Sequence, residues 1–247
     1  MNVGLYQSAA SLSALERWQD AVTQNITSNQ VSGFKKRTIN FSTVAAGELQ
    51  AGGGKVGGGQ GQPMYFPRAS YGINFSMGET QPTRRELDVA LQSEGFFEVE
   101  LEDGRRGYTR AGELRIRPDR TLVTSQDVPI LSDAGSPIQL LPSGGPVVIN
   151  TDGTIVQGTT QVGKLSVVKF ADNHLLRPMS AGVFVNGGAA PEQVDRPEIL
   201  QGYLESANTA PLREMVDLVN IARAYEANQK LIQSRDDAMG KTLQTLG

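Results

Sequence analysis

Apolar residues at the two ends of this chain recur at alternating three- and four-residue steps, the spacing that gathers them on one face of a helix. Near the C-terminus, Met215, Leu218, Ala222, Tyr225, Ile232, Met239, Leu243 and Leu246 fall on one heptad seam, interrupted by Gln229 and Asp236. Leu212, Val216 and Val219 widen that face over its first turns, and after Pro211 only Gly240 interrupts the helix-forming run. Near the N-terminus, Leu5, Leu12, Leu15, Val22 and Ile26 keep the same rhythm, filled in by Ser8 and Gln19. This pattern predicts a helix over residues 5–28, ending at Val31-Ser32-Gly33-Phe34, where Gly33 suits a C-terminal turn and Phe34 a hydrophobic anchor. Each stripe needs a partner surface, so the sequence predicts a coiled-coil-like association of the two ends.

Between the ends the period changes. Residues 35–50 are mixed and carry a strand or a short helix, and residues 52–61 are a glycine-rich loop by composition. From Tyr71 to Leu204, short alternating runs follow one another: Phe96 to Leu101, Leu114 to Arg117, Val128 to Leu131, Ile138 to Leu140, Val147 to Ile149, Thr154 to Val156 and Leu165 to Phe170. Asp103-Gly104 and Asp152-Gly153 sit between such runs, a strong short-range hairpin signal. Strands at this spacing, without helical intervals, predict an antiparallel sandwich or barrel-like region.

Composition narrows the function classes. With 23 basic and 26 acidic residues the formal charge is −3, and the few basic clusters are short, so no nucleic-acid partner is expected. The chain has no cysteine, which removes disulfides, thiolate metal sites and cysteine nucleophiles together. No basic, apolar leader opens it, and no stretch approaches the roughly 20 apolar residues of a membrane helix. If the protein leaves the cell, the sequence predicts a route without a cleaved signal peptide.

Candidate chemistry is sparse. His174 is the single histidine and reads as a surface turn residue. No Gly-x-Ser-x-Gly frame occurs, and Lys55 precedes Val56, whereas a phosphate loop needs Ser or Thr there. Glu98 and Glu100 share one side of a strand, read as the wet side because Phe97, Val99 and Leu101 take the other; one strand cannot face two carboxylates across a cleft. Tyr108-Thr109-Arg110-Ala111-Gly112 reads either as a binding loop or as a strand with exposed Thr and Arg. No catalytic, metal-ligating or cofactor-binding residue is expected, no cofactor, and no small-molecule substrate.

Several segments resemble the bacterial flagellar rod and hook family, the axial proteins of the basal body. Gly202-Tyr203-Leu204-Glu205, Asn208, Glu214 to Leu218 and Arg223 to Asn228 follow that family's C-terminal signature. Leu87 to Leu91 with Gly95-Phe96-Phe97-Glu98-Val99, and Tyr108 to Gly112, resemble the entry into its β region. At the N-terminus Asn25, Ile26, Gly33, Phe34 and Lys35 match the pattern, whereas Gln24, Thr27, Ser28 and Val31 depart from it. Length also favours a rod member over the hook protein, which carries a further outer domain for which this chain has no room.

The fold expected is α+β: long N- and C-terminal helices forming an α-helical coiled-coil-like domain, with a central antiparallel all-β domain. Its boundaries are expected at 1–34 for the N-terminal axial (D0-like) helix, 35–75 for a connecting segment, 76–204 for the β-rich (D1-like) region and 205–247 for the C-terminal axial helix. The resemblance implies a structural subunit that polymerises through its ends, transmits torque, and meets copies of itself, other axial rod and hook proteins and the flagellar type III export apparatus. It implies a place in the periplasmic rod. The assembly residues expected are Leu5, Leu12, Leu15, Val22, Asn25, Ile26, Met215, Leu218, Ala222, Tyr225, Asn228, Ile232, Met239 and Leu243. The family-motif positions are Gly33, Phe34, Lys35, Gly95, Phe96, Tyr108, Arg110, Gly202, Tyr203, Glu205 and Asn208. Two other readings are a distal rod or hook-type axial subunit and, in a different class, a monomeric extracellular binding or hydrolytic β domain whose terminal helices pair with each other.

Overall fold

The computed structural model describes residues 3–49, 62–142, 144–180 and 182–246. The chain divides into two compact units: a helical unit from residues within 1–26, 37–72 and 210–247, and a β unit from residues within 27–36 and 73–209. The glycine-rich stretch 52–61 lies outside the described residues.

The helical unit holds α1 (Val3–Thr27), β1 (Arg37–Leu49), β2 (Gln62–Ile73) and α2 (Pro211–Leu246). β1 and β2 form a two-stranded ribbon. Thr38 lies beside Gly72, and the Ser70 and Ser42 hydroxyls donate to the Asn40 and Arg68 carbonyls, a register that falls on one strand as it rises on the other. The first segment carries Thr, Ile, Phe and Val and the second Tyr, Phe and Ile, and β-branched and aromatic side chains suit a pleated surface. α1 meets this ribbon directly. Arg17 Nη1 donates to the Ala69 carbonyl at 2.9 Å, Gln7 Nε2 to the Tyr65 carbonyl at 3.3 Å, and Trp18 stacks edge-on to Phe41 at 5.7 Å.

The expected coiled-coil-like helical domain is therefore corrected. One N-terminal and one C-terminal helix accompany a strand-rich remainder, and they do not make a long coiled coil. A small-residue face of α1, with Ala10 and Ala14, lies beside Pro67, Arg68 and Ala69 of the ribbon. Contact there comes from an extended strand rather than from a second helix.

In the β unit, six antiparallel strands run in the order Leu176–Ser180, Val183–Asn186, Arg106–Thr109, Phe96–Glu100, Val167–Phe170 and Pro191–Gln193. A three-stranded sheet joins Thr160–Lys164, Thr154–Gln157 and Val147–Ile149. Both Asp-Gly turns close antiparallel pairs. Gly104 and Gly153 take φ of 76° and 87°, and the preceding carboxylates accept the amides of Arg105 and Thr154 at 3.0 Å. Those bonds hold the Asp103 and Asp152 carboxyls below the usual carboxylate range.

The central sheet is covered on both faces. Phe97, Val99, Leu114, Ile130 and Ile155 belong to the larger core, while Phe96, Tyr108, Val168, Phe170 and Phe184 form a second, aromatic one. Glu98 is consequently buried, contrary to its reading as a wet-face residue. It accepts from Ser166 Oγ at 2.5 Å and from Arg106 Nη1 at 3.2 Å. Period-two alternation marks sides of a strand but does not say whether the polar side sees water. His174 lies exposed in the short turn Asn173–Leu175, its amide bonded to the Asp172 carboxylate at 2.9 Å.

Asp88 is fully buried, and neither carboxylate oxygen has a hydrogen-bond partner among the described residues. The nearest cation is the half-exposed Arg85, with Nε 3.6 Å away. A buried carboxylate costs more than a neutral amide of the same shape. Asp88→Asn should raise the denaturant midpoint, by about 1 kcal/mol in stability; a lowered midpoint would show that Arg85 compensates the charge in full.

Candidate assembly face and buried charge node

In the helical unit α2 turns one side inward. Glu214, Leu218, Ile221, Tyr225, Asn228 and Ile232 follow 4-3-4-3-4 steps, with Glu214 and Ile221 buried and the others half-buried. Leu218, Tyr225 and Ile232 belong to the predicted seam. Its alternate members Met215 and Ala222 stand exposed, as does Met239, and the inward places fall one residue earlier. A polar contact sets the difference. Asn25 Nδ2 donates to Glu214 Oε2 at 3.0 Å and to the Arg37 carbonyl at 2.9 Å, while its Oδ1 accepts the Arg37 amide at 2.8 Å. A hydrophobicity count assigns that inward place to Met215, because it cannot see Asn25 waiting for the carboxylate.

Of the remaining predicted assembly residues, Val22 is buried and Leu12, Leu15 and Ile26 are half-buried. Asn228 Nδ2 donates back to the Ala224 carbonyl at 3.0 Å. The side chains of Leu5 and Leu243 lie outside the described residues. Outward, Leu212, Met215, Val216 and Val219 line one side of the first turns of α2, Leu212 at 81% and Val216 at 59% exposure. Apolar side chains so placed are ordinarily found covered by another surface.

In the β unit the family-motif residues converge. Tyr203–Glu205 pairs with Thr80–Pro82, and Ile199–Gln201 with Val89–Leu91. Gly202 links the two strands in a left-handed conformation with φ of 80°. This geometry buries Glu205. Its Oε1 accepts from Lys35 Nζ at 2.6 Å and from the Gly78 amide at 2.9 Å, and its Oε2 from Arg110 Nη1 at 3.2 Å. Its backbone carbonyl accepts the Gly33 amide at 2.7 Å. Lys35 also donates to the Ser76 carbonyl, and Arg110 to the carbonyls of Leu91 and Ser93. Arg110 lies 5.9 Å from the centre of the Phe96 ring.

Two buried cations thus share one carboxylate, and burial pushes both the Lys35 ammonium and the Arg110 guanidinium below their ordinary values, with Glu205 opposing. Arg110 and Thr109 are both buried, so neither the binding loop nor the exposed strand read from this segment describes it.

Asn208 is a second clamp. Its Oδ1 accepts the Lys36 amide at 2.6 Å, and its Nδ2 donates to the carbonyls of Asn74 and Ser76, each at 2.8 Å. Gly33, Phe34, Gly95 and Tyr108 are buried around this region, Gly202 and Asn208 are half-buried, and Tyr203 is exposed. Gly33 must be glycine: φ is 67°, and a Cβ would stand 2.3 Å from the Arg110 carbonyl carbon. The motif spacing flagged these residues, but not that their charges meet. Ser76, Gly78 and Asn74 carried no signal, since they contribute backbone groups whose use depends on the fold.

The node is built of side chains that satisfy one another, which suits a structural role better than a catalytic one. Among the described residues, no group of three or more His, Cys, Asp and Glu side chains is placed to hold a metal.

Residues 200–245 match the family described as flagellar basal body rod FlgEFG protein C-terminal, and residues 90–157 match the flagellar hook protein FlgE/F/G D1 domain. The flagellar basal-body rod protein FlgF of Caulobacter vibrioides is 30% identical over 100% of this chain and 99% of its own. The chain belongs to the flagellar basal-body rod protein family. FlgF of Salmonella typhimurium is 33% identical over 71% of this chain and 74% of its own. FlgG of Bacillus subtilis is 27% identical over 95% and 96%. Within the family the chain is FlgF-like. The family as a whole is structural rather than enzymatic.

Proposed function

We propose that this chain is a structural subunit of the bacterial basal-body rod and that it polymerises helically through its terminal helices. The first half follows from family membership, which also makes other axial flagellar proteins its partners and the basal body its place. The second half rests on one observation: the row of exposed apolar side chains on α2 headed by Leu212 and Val216. Each such residue covered by a neighbouring copy contributes roughly 1.5–3 kcal/mol. Contacts between unlike patches, related by a rotation and a rise, build a helical tube. A shaft of that kind carries torque along its length. We extend the reading to passage through the flagellar type III apparatus without a cleaved leader and to the periplasmic stretch of the rod. Family membership supports both.

The test is a substitution on the exposed face. Ala222→Asp adds a charge where the free chain meets only solvent, so its stability should change by no more than about 0.5 kcal/mol. Assembly, followed by light scattering and electron microscopy, should be lost. A variant that still enters filaments would remove α2's outer face from the interface.

A further inference from the structure

We infer that Glu205 is a two-ended latch: the N-terminal segment 33–36 can seat in the β unit only while the C-terminal segment 203–208 is seated, and the reverse. Lys35 and Arg110 are both buried against this carboxylate, and no other carboxylate touches the Lys35 ammonium among the described residues. A buried cation without its partner is strongly destabilising. The two cations escape differently. Arg110 keeps the Leu91 and Ser93 carbonyls within its own unit of structure, 17–19 residues away in sequence. Lys35 keeps only the Ser76 carbonyl, so without Glu205 its ammonium is left buried on a single acceptor unless residues 33–36 leave the β unit. Backbone bonds join the same two segments: Gly33 to Glu205 at 2.7 Å and Asn208 to Phe34 at 3.3 Å, with the Lys36 amide on Asn208 Oδ1.

The dependence is reciprocal, because coupling between two seats is one free energy seen from either side. A chain whose last strand is not yet in place therefore holds residues 33–36 in solvent, so that the two ends of the β unit close together or not at all. Rod membership is not a premise of this inference.

Hydrogen exchange on the full chain tests it, read in each variant at the segment that was not substituted and at its neighbours. In Glu205→Gln, the amides of Asn74 and Phe34, bonded to the Lys36 and Val31 carbonyls, should lose protection by about 100-fold or more. Glu98 and Leu131, deep in the central sheet, should keep theirs. In Gly33→Ala, which drives a Cβ into the Arg110 backbone, the Ser206 amide on the Glu79 carbonyl should lose protection by a similar factor. The latch is overturned if Asn74 and Phe34 stay protected in Glu205→Gln, or if Ser206 stays protected in Gly33→Ala. It is equally overturned if Glu98 and Leu131 open together with them, since the ends then have no closure of their own.

Discussion

Gly112→Ala should destabilise the β unit by at least about 3 kcal/mol, above the usual cost of overpacking. A Cβ on Gly112 would stand 1.6 Å from the Val89 carbonyl oxygen and 2.7 Å from its carbon. Neither side has room to give. Val89 is fully buried, its amide donates to the Gly112 carbonyl at 2.9 Å, and its strand pairs with Ile199–Gln201. Relief must therefore part the strand Val89–Leu91 from the segment that carries Arg110. For a chain of this size the loss corresponds to a fall of roughly 6–12 °C in melting temperature. Gly104→Ala is the natural comparison. No atom lies within 4 Å of its would-be Cβ, and only the φ of 76° opposes alanine, so a cost near 1 kcal/mol is expected. Equal costs at the two glycines in calorimetry would mean that conformation rather than contact governs Gly112.

Phe96→Ala should cost about 3–5 kcal/mol, the same range as Phe97→Ala on the opposite face. Phe97 sits in the larger core and its loss leaves a cavity there. Phe96 is as well buried, with ring centres of Phe75, Phe184 and Phe170 at 5.8, 5.9 and 6.1 Å and the Arg110 guanidinium beside it. Aromatic pairs at these separations add to the area they bury. A one-sided sheet would make Phe96→Ala nearly free, because Phe96 shares the side of Glu98. Denaturant midpoints of the two variants separate the cases: a cost under about 1 kcal/mol at Phe96 would leave the aromatic cluster without weight in folding.

The aromatic face also shows where legibility stopped. Phe96, Phe97 and Val99 were readable as a strand, and the Asp-Gly turns as its ends, because turn chemistry and side-chain alternation are local. What lies over the polar side was not readable. Phe75, Phe170 and Phe184 come from three distant stretches, and their meeting depends on strand order. The ribbon β1–β2 shows the same limit. Residues 35–50 left strand and short helix open, and the stretch was read as a connecting segment, because the surface that an amphipathic helix such as α1 selects is a competition among all apolar faces of the chain.

By itself the sequence determined the kinship with rod proteins, the helical ends and the strand-rich middle, since these rest on motif spacing and on periods of two and of three to four residues. Tertiary structure alone decided that α1 lies on a ribbon, that α2 turns Glu214 and Ile221 inward and leaves Met215 and Ala222 outside, and that Lys35, Arg110 and Glu205 share one buried site. The physical reason is common to all three. Periodicity tells which residues share a face, whereas burial of a charge or an amide is settled by the partner that arrives there. Here the partners come from as far away as 189 residues along the chain, as Asn25 and Glu214 do.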